Sequence, residues 1–353
     1  MPSRAYPKTY RALRRSAPPF PLHLEFTTES LPETLGDKDV VVRIRAASLN
    51  YRDVAMLREG GYPIPVNERE IEGSCCAAEV VALGSSVTKF SIGERVAPTV
   101  NLNFLSGEER DADVCALGGD TAGVLREWAV FDEQHLVKLP GHVSWEEAAT
   151  ITGVGITAWV SLNGLEHVPE GATALLQGTG GVSIMSLLVC LAAGIRPIIT
   201  SSSDAKLARL AKLSPEIKTI NYKTTPDVAA EVLLLTAGKG VDYVLNNAGL
   251  SSIPSDLRML RRYGGRIALI GFLEGFEAGW DASLLMGLIE KAASIKGILA
   301  GSRADLEAVS RFLEEKKVDL GPLVDRVFAF GESEKAFAYL EGGSHVGKVV
   351  IRM

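Results

Sequence analysis

At 353 residues the chain is longer than one ordinary hydrophobic core fills, which as a prior means about two domains. Its composition, 46% hydrophobic and 23% charged, is that of a globular protein, and a net charge of −6 offers no basic surface to a phosphate backbone. Nucleic acid is therefore not expected as a partner, and no membrane is expected either, because the longest apolar runs fall far short of the roughly 20 residues a span needs.

The first sixteen residues, "MPSRAYPKTYRALRRS", are basic but hold no apolar segment of the kind a secretory leader needs, so they read as a short tail running into the fold. From "DVVVRIRAASLN" (39–50) through "CAAEVVALGSSVTKFSIGERVAP" to "REWAVFDEQHLVKLP", short β-rich runs alternate with Gly, Pro, Ser and Asn. That pattern predicts an irregular, mostly antiparallel β domain. Cys75, Cys76, Cys115 and Cys190 form no CxxC pair, which fits a reducing compartment, and the cytosol is the expected location. Near "SWEEAATITGVGITAWVSLNGL" the text turns helical, with Ser144 as N-cap and Glu147 as its capping-box partner.

After residue 170 the period alternates. "TALLQG", "RPIIT", "IKTINY", "VDYVLN" and "GRIALIG" are strand-like and are separated by helical segments, the mark of βαβ units in a doubly wound parallel sheet. A sixth strand, "SIKGILA" (294–300), follows an amphipathic helix, and the last strand, "GKVVIRM", is expected to return to the first domain and make it discontinuous. The expected organisation is a β domain over 1–147, an α/β doubly wound domain over 148–300, and the rest of the β domain over 301–353.

The stretch "LLQGTGGVSIMSLLVCLAAG" (175–194) is strand, Gly-rich turn and helix. Gly178 and Gly180 suit the tight turn and close backbone approach of a pyrophosphate at a helix N-terminus; Thr179, Gly181 and Val182 complete the loop, and Ser183 stands where a third glycine is usual. About twenty positions on, an NAD site usually carries Asp or Glu; "IITSSSDAKLARL" has Ser202, Ser203 and Lys206 instead. Hydroxyls plus a cation suit a 2′-phosphate, so NADP(H) is the expected cofactor, although Ser203 equally reads as a plain helix cap and Lys206 as a solvated side chain. Tyr222, at the end of the third strand, is placed to close the adenosine side.

The stretches "AASLNYRD", "EGSCCAAEVVALGSSVTKFSIGERV", "EEAATITGVGITAW", "LLQGTGGVS", "INYKTTPD" and "GRIALIGF" together resemble the medium-chain dehydrogenase/reductases, over nearly the whole chain. The resemblance implies a GroES-like catalytic domain, a nicotinamide-binding Rossmann domain and an active-site cleft between them. It also matches the catalytic zinc ligands of the family to Asn50, Ile71 and Gly153, and of these Ile and Gly carry no donor while Asn is a poor one. The four-cysteine lobe of zinc members is matched by a segment with Cys115 alone, so no metal is expected. Ile71 is expected to form one wall of a metal-free pocket.

Without a Lewis acid, hydride addition to a conjugated C=C is less demanding than carbonyl reduction, because the charge spreads through an enolate. The expected activity is NADPH-dependent reduction of an enone, enoyl or quinone substrate. A metal-free alcohol or ketone oxidoreductase and a non-catalytic cofactor-binding accessory of a biosynthetic enzyme are the alternatives. In "SLNYRD", Asn50 is a candidate donor to the substrate carbonyl or the nicotinamide ribose, Tyr51 a proton source and Arg52 an anion holder, against a reading in which Arg52 and Asp53 pair internally and Tyr51 packs. Thr157 matches a family position near the nicotinamide, while Asn247, Gly271 and Phe272 sit at strand C-termini where such sheets bind ligands, or serve simply as turns. Tyr62, Phe272, Phe276 and Trp280 either line the substrate pocket or belong to the core. Pairing of two copies through "SIKGILA" would give a homodimer, again by resemblance.

Overall fold

The computed structural model describes residues 6–275 and 277–353. Phe276, named above as a pocket or core aromatic, lies outside them. The chain divides into two compact units, one of residues 1–156 with 301–353 and one of residues 157–300.

In the first unit, β1 (Thr9–Arg15) and β2 (Leu24–Ser30) form an antiparallel pair whose side chains alternate between buried and exposed, as a two-faced ribbon requires. The main sheet draws on β3 (Asp39–Ser48), the short helix α1 (Tyr51–Ala55) that follows it, then β4 (Cys76–Leu83), β5 (Arg95–Pro98), β6 (Trp128–Asp132) and β7 (Leu136–Lys138). α2 (Trp145–Ala148) begins with the capping box expected at Ser144: its hydroxyl accepts from Glu147 N at 3.2 Å, and the Glu147 carboxylate accepts from Ser144 N at 2.6 Å. A π-helical turn over Ile151–Gly155 comes next.

Residues 148–156, assigned from the sequence to the Rossmann domain, pack with the first unit. Ser48 Oγ donates to the Ala149 carbonyl at 2.9 Å, and a Cβ added to Gly153 would come within 2.5 Å of Cys75 Sγ. Helical periodicity marks where the β text stops; it carries no information about which core the first helical turns cover.

The second unit opens with α3 (Ile156–Ser161), then alternates β8 (Thr173–Leu176), α4 (Gly181–Ala193), β9 (Arg196–Ser201), α5 (Asp204–Ala211), β10 (Lys218–Asn221), α6 (Val228–Leu235), β11 (Tyr243–Asn246), α7 (Ile253–Met259), β12 (Arg266–Leu269), α8 (Met286–Lys291) and β13 (Ser294–Gly297). All six strands are parallel in the order β10-β9-β8-β11-β12-β13. β8 and β11 are buried at every position, as strands covered on both faces must be. The strand order reverses between β8 and β11, and in such sheets the crevice at the carboxyl ends of those strands is where ligands bind.

The chain then returns to the first unit. α9 (Arg303–Lys316), β14 (Val324–Ala329), α10 (Ser333–Glu341) and β15 (Lys348–Arg352) complete it, and β15 lies between β14 and β3 in a seven-stranded sheet, with the order β14-β15-β3-β4-β5-β7 and β6 paired to β3. Only β14 and β15 are parallel in it. Val42, Ile44, Val96, Leu125, Val349 and Ile351 anchor its core.

Candidate active site

In the second unit the Gly-rich turn connects β8 to α4. Gly178 has φ +78°, a conformation that favours glycine, and a side chain added at Gly178 or Gly180 would meet nothing within 4 Å, so the space above the helix start is open. Gly180 is the N-cap of α4 and offers no side chain to its first-turn N–H groups, which leaves them to an external acceptor. Thr179 is buried, while Gly181 and Val182 form the half-buried first turn.

Ser183, at the place of the third glycine, is buried, and its hydroxyl donates to the Gln177 carbonyl at 2.7 Å. Asn247 Nδ2 donates to that same carbonyl and to Ser183 Oγ, each at 3.1 Å. The loop is thus closed by hydrogen bonds between the ends of β8 and β11. Gly271 has a related reason to be glycine, since an added Cβ would stand 2.5 Å from the Asn247 carbonyl oxygen: here the close approach is backbone against backbone. Phe272 follows it, half-buried.

At the end of β9, Ser202 is exposed and Ser203 caps α5, its hydroxyl accepting from Lys206 N at 3.4 Å. Tyr222 N donates to the Ser201 carbonyl at 3.1 Å, so Tyr222 follows β10 beside the serines, with its side chain exposed. Thr200 Oγ1 accepts from Gly178 N at 3.3 Å, which ties this strand end to the loop. Thr157 is buried on α3, with its carbonyl accepting from Ser161 Oγ. Trp280 belongs to the core beside α7 and donates its Nε1–H to the Leu250 carbonyl at 2.8 Å.

The first unit gathers a second group of polar side chains around Asn50. Lys348, the first residue of β15, is buried, and its Nζ donates to Asn50 Oδ1 at 2.6 Å and to the Leu49 carbonyl. Asn50 Nδ2 donates to Cys75 Sγ at 3.0 Å and to Ser74 Oγ at 3.3 Å. Both amide hydrogens of Asn50 are committed within the cluster, so it reaches a substrate carbonyl only by giving up one of these bonds. Burial lowers the Lys348 pKa, while Cys75 and Asp53 nearby act to raise it.

Beside this cluster, Asp53 is fully buried; its Oδ2 accepts from Asn50 N at 2.7 Å, and Oδ1 has no hydrogen-bond partner among the described residues. Burial pushes its carboxyl up, against the pull of Arg52. Arg52 Nη1 donates to the Leu117 carbonyl at 2.8 Å and its guanidinium lies over the Tyr62 ring at 5.5 Å, so the side chain braces the 117–119 turn. Tyr51 is 45% exposed at the start of α1. Glu72 and Arg15 form a fully buried pair at 2.8 Å, with Arg15 also donating to the carbonyls of Asn67 and Gly118. Burial raises the Glu72 pKa to about 7, against the pull of Arg15. Ile71 does not wall a pocket with Asn50; it packs with Tyr10, Ala12 and Leu31 in a satellite core, because the segment pairs with β1 at Arg14.

A family model for the alcohol dehydrogenase GroES-like domain matches residues 36–141, and one described as zinc-binding dehydrogenase matches residues 181–315. The chain is 36% identical to a zinc-type alcohol dehydrogenase-like protein of Schizosaccharomyces pombe, over 92% of this chain and 93% of that one. The chain belongs to the medium-chain dehydrogenase/reductase superfamily. A quinone oxidoreductase of Pseudomonas aeruginosa is 30% identical over 91% of this chain and 93% of its own. A solved NAD-dependent alcohol dehydrogenase superposes with a TM-score of 0.82 at 29% identity, covering 97% of this chain and 99% of that one.

As a medium-chain dehydrogenase/reductase the protein is an oxidoreductase that uses a nicotinamide dinucleotide, and the second unit fits one. The open glycine turn and the uncapped α4 suit the pyrophosphate, and the ends of β9 and β10 supply polar and aromatic groups of the kind an adenosine ribose needs. Among the described residues, no three His, Cys, Asp or Glu come together in a metal-binding group. Among the described residues, no helix is long and apolar enough to cross a membrane.

Reading the sequence missed Lys348, Cys75, Ser74 and Gln177 as members of these clusters. Lys348 lies about three hundred positions from Asn50, and nothing in local periodicity connects them; strand pairing between β15 and β3 does. Cys75 could have been found, since it stands two residues beyond the matched Glu-Gly pair in a segment already singled out.

Proposed function

We propose that the protein is an NADPH-dependent, zinc-independent oxidoreductase that transfers hydride to the activated C=C of an enone, enoyl or quinone substrate. The observation that carries this reading is the make-up of the Asn50 cluster. At the positions that the family resemblance matches to zinc ligands, Asn50 and Gly153 border a Cys75 thiol, and the cation beside them is the Lys348 ammonium.

Bound NADPH supplies the hydride. A fixed ammonium behind a neutral amide is a weaker electrophile than a metal ion, so it suits a reaction whose negative charge is spread over a conjugated oxygen and carbon. Lys348 draws on Asn50 Oδ1 and so strengthens Asn50 Nδ2–H as a donor toward a developing oxyanion. Tyr51, exposed at the start of α1, is the proton donor in this reading. For the cofactor, Ser202, Ser203 and Lys206 at the end of β9, with no acid there, favour the 2′-phosphate of NADPH.

Ketone reduction without a metal is the second reading; the name of the S. pombe relative, zinc-type alcohol dehydrogenase-like, favours its alcohol and ketone chemistry and not the absence of a metal. A metal analysis combined with NADPH and NADH oxidation against enones, quinones and ketones separates the two. Turnover of enones or quinones by metal-free protein is the expected outcome. Ketone turnover alone would move the assignment to the second reading, binding without turnover would make the protein a non-catalytic partner, and stoichiometric zinc would end the zinc-independent reading.

A further inference from the structure

Behind the nucleotide turn lies a buried carboxylate that contacts none of the residues assigned above to the cofactor. Asp256, on α7, is fully buried and accepts three hydrogen bonds: from Asn246 Nδ2 at 2.7 Å, from Gln177 Nε2 at 2.8 Å and from Ser252 Oγ at 3.1 Å. An ionised carboxylate only accepts, so both amides must turn their NH2 groups toward it. That fixes the other end of each amide. Gln177 Oε1 then accepts from the backbone N–H groups of Asn247 and Ala248, each at 3.2 Å, and Asn246 Oδ1 accepts from Gly249 N at 2.8 Å. Gln177 immediately precedes Gly178, and 246–249 is the turn that faces it across the switch point.

We propose that Asp256 is a positioning residue of the nucleotide site: in its ionised form it sets the Gln177 and Asn246 amides, and through them the turns after β8 and β11, so that dinucleotide affinity depends on its protonation. The inference rests on the assignment of these turns to the dinucleotide. Protonation turns one carboxyl oxygen into a donor: aimed at an amide NH2 group it costs that bond, and aimed at Ser252 Oγ it reverses that bond and sends the Ser252 hydrogen to the Gly249 carbonyl at 3.3 Å, so that the hold of Asp256 on the 246–249 turn changes in either case. If Gln177 rotates to accept that proton, its NH2 group meets the N–H groups of Asn247 and Ala248, and the two turns separate.

The pH range follows from the surroundings. Burial raises the Asp256 pKa to about 7 despite the bonds from Ser252, Asn246 and Gln177, and the nearby charge of Glu274 acts in the same upward direction. The other charged groups on neighbouring elements are engaged elsewhere. Arg258 on α7 pairs with Asp227 before α6 at 3.1 Å, Lys291 of α8 donates to the carbonyls of Arg258 and Leu260, and Glu274 accepts from Ser251. Glu231 lies on α6.

The test is to titrate NADPH and NADH into the wild type and Asp256→Asn between pH 6 and 8.5, following nicotinamide fluorescence, with thermal unfolding measured alongside. NADH lacks the 2′-phosphate, so its profile is free of that group's own titration. For the wild type, NADH affinity should fall about tenfold from pH 8 to pH 6, as expected when only the ionised form of a group titrating near 7 is competent. Asp256→Asn should bind weakly at every pH, with a flat profile. Ser252→Ala, which removes one donor and leaves the carboxylate, should retain the fall and shift its midpoint upward; it carries the test if Asp256→Asn does not fold. A flat wild-type profile, or an unchanged one in Asp256→Asn, would overturn the role of Asp256 alone. Failure of the wild type to bind either dinucleotide would instead remove the cofactor assignment of these turns, and the role of Asp256 with it.

Discussion

Lys348 begins β15 with its Nζ held between the Leu49 carbonyl and Asn50, where burial lowers its pKa and the nearby Cys75 and Asp53 act to raise it. Under the proposed reaction, Lys348→Met should lower kcat by roughly 10- to 100-fold, the scale of one lost electrostatic contact to a transition state, and Lys348→Arg should recover part of it. Steady-state kinetics decide this: an unchanged kcat in a folded Lys348→Met protein would reduce the lysine to packing. Lys206 poses a separate question at the other cluster. If it serves the 2′-phosphate, Lys206→Ala should weaken NADPH by about tenfold and leave NADH nearly unchanged, and equal effects on both cofactors would remove it from that role. Residues of this kind were unevenly legible. The glycine turn and the serines after β9 stand in local text whose spacing carries meaning, whereas Lys348 and Gln177 acquire theirs from partners that only tertiary pairing supplies.

Among the elements, β13 is the outermost strand of the parallel sheet, and among the described residues no strand pairs with its outer row of backbone groups. Apolar side chains cluster in sequence around it: Met286 and Ile289 on α8 are 58% and 72% exposed, and Leu299 just beyond the strand is 64% exposed. A protein that functions alone rarely leaves such a group uncovered. We expect two copies to pair edge to edge through β13. Light scattering on the wild type should then give twice the chain mass, and Ile289→Asp combined with Met286→Asp should halve it; a monomeric wild type at micromolar concentration would end the idea. The strands themselves were readable as short, mostly apolar runs between turn signals, and the α2 capping box as a four-residue pattern. The π-helical turn was not, because a π-turn and an α-turn draw on the same residue types.

Across the whole molecule the alternating period after residue 170 and the returning last strand made the two-unit architecture accessible from the sequence, since both rest on the repeat of β text itself. What the sequence alone left open is which core the joining segment serves and how distant polar groups meet. The placement of β15 has a further consequence for how the protein is made. The second unit is continuous, so a ribosome delivers all of it before residues 301–353 exist. β3 must wait for its neighbour through roughly three hundred residues of further synthesis, on the order of 15–60 s at ordinary elongation rates. Throughout that interval the 46–48 end of β3 and the cluster around Asn50 lack their last strand, and the half-made first unit is the nascent chain's window for aggregation and for chaperone capture, closed only when Lys348 and the strand it begins come into place.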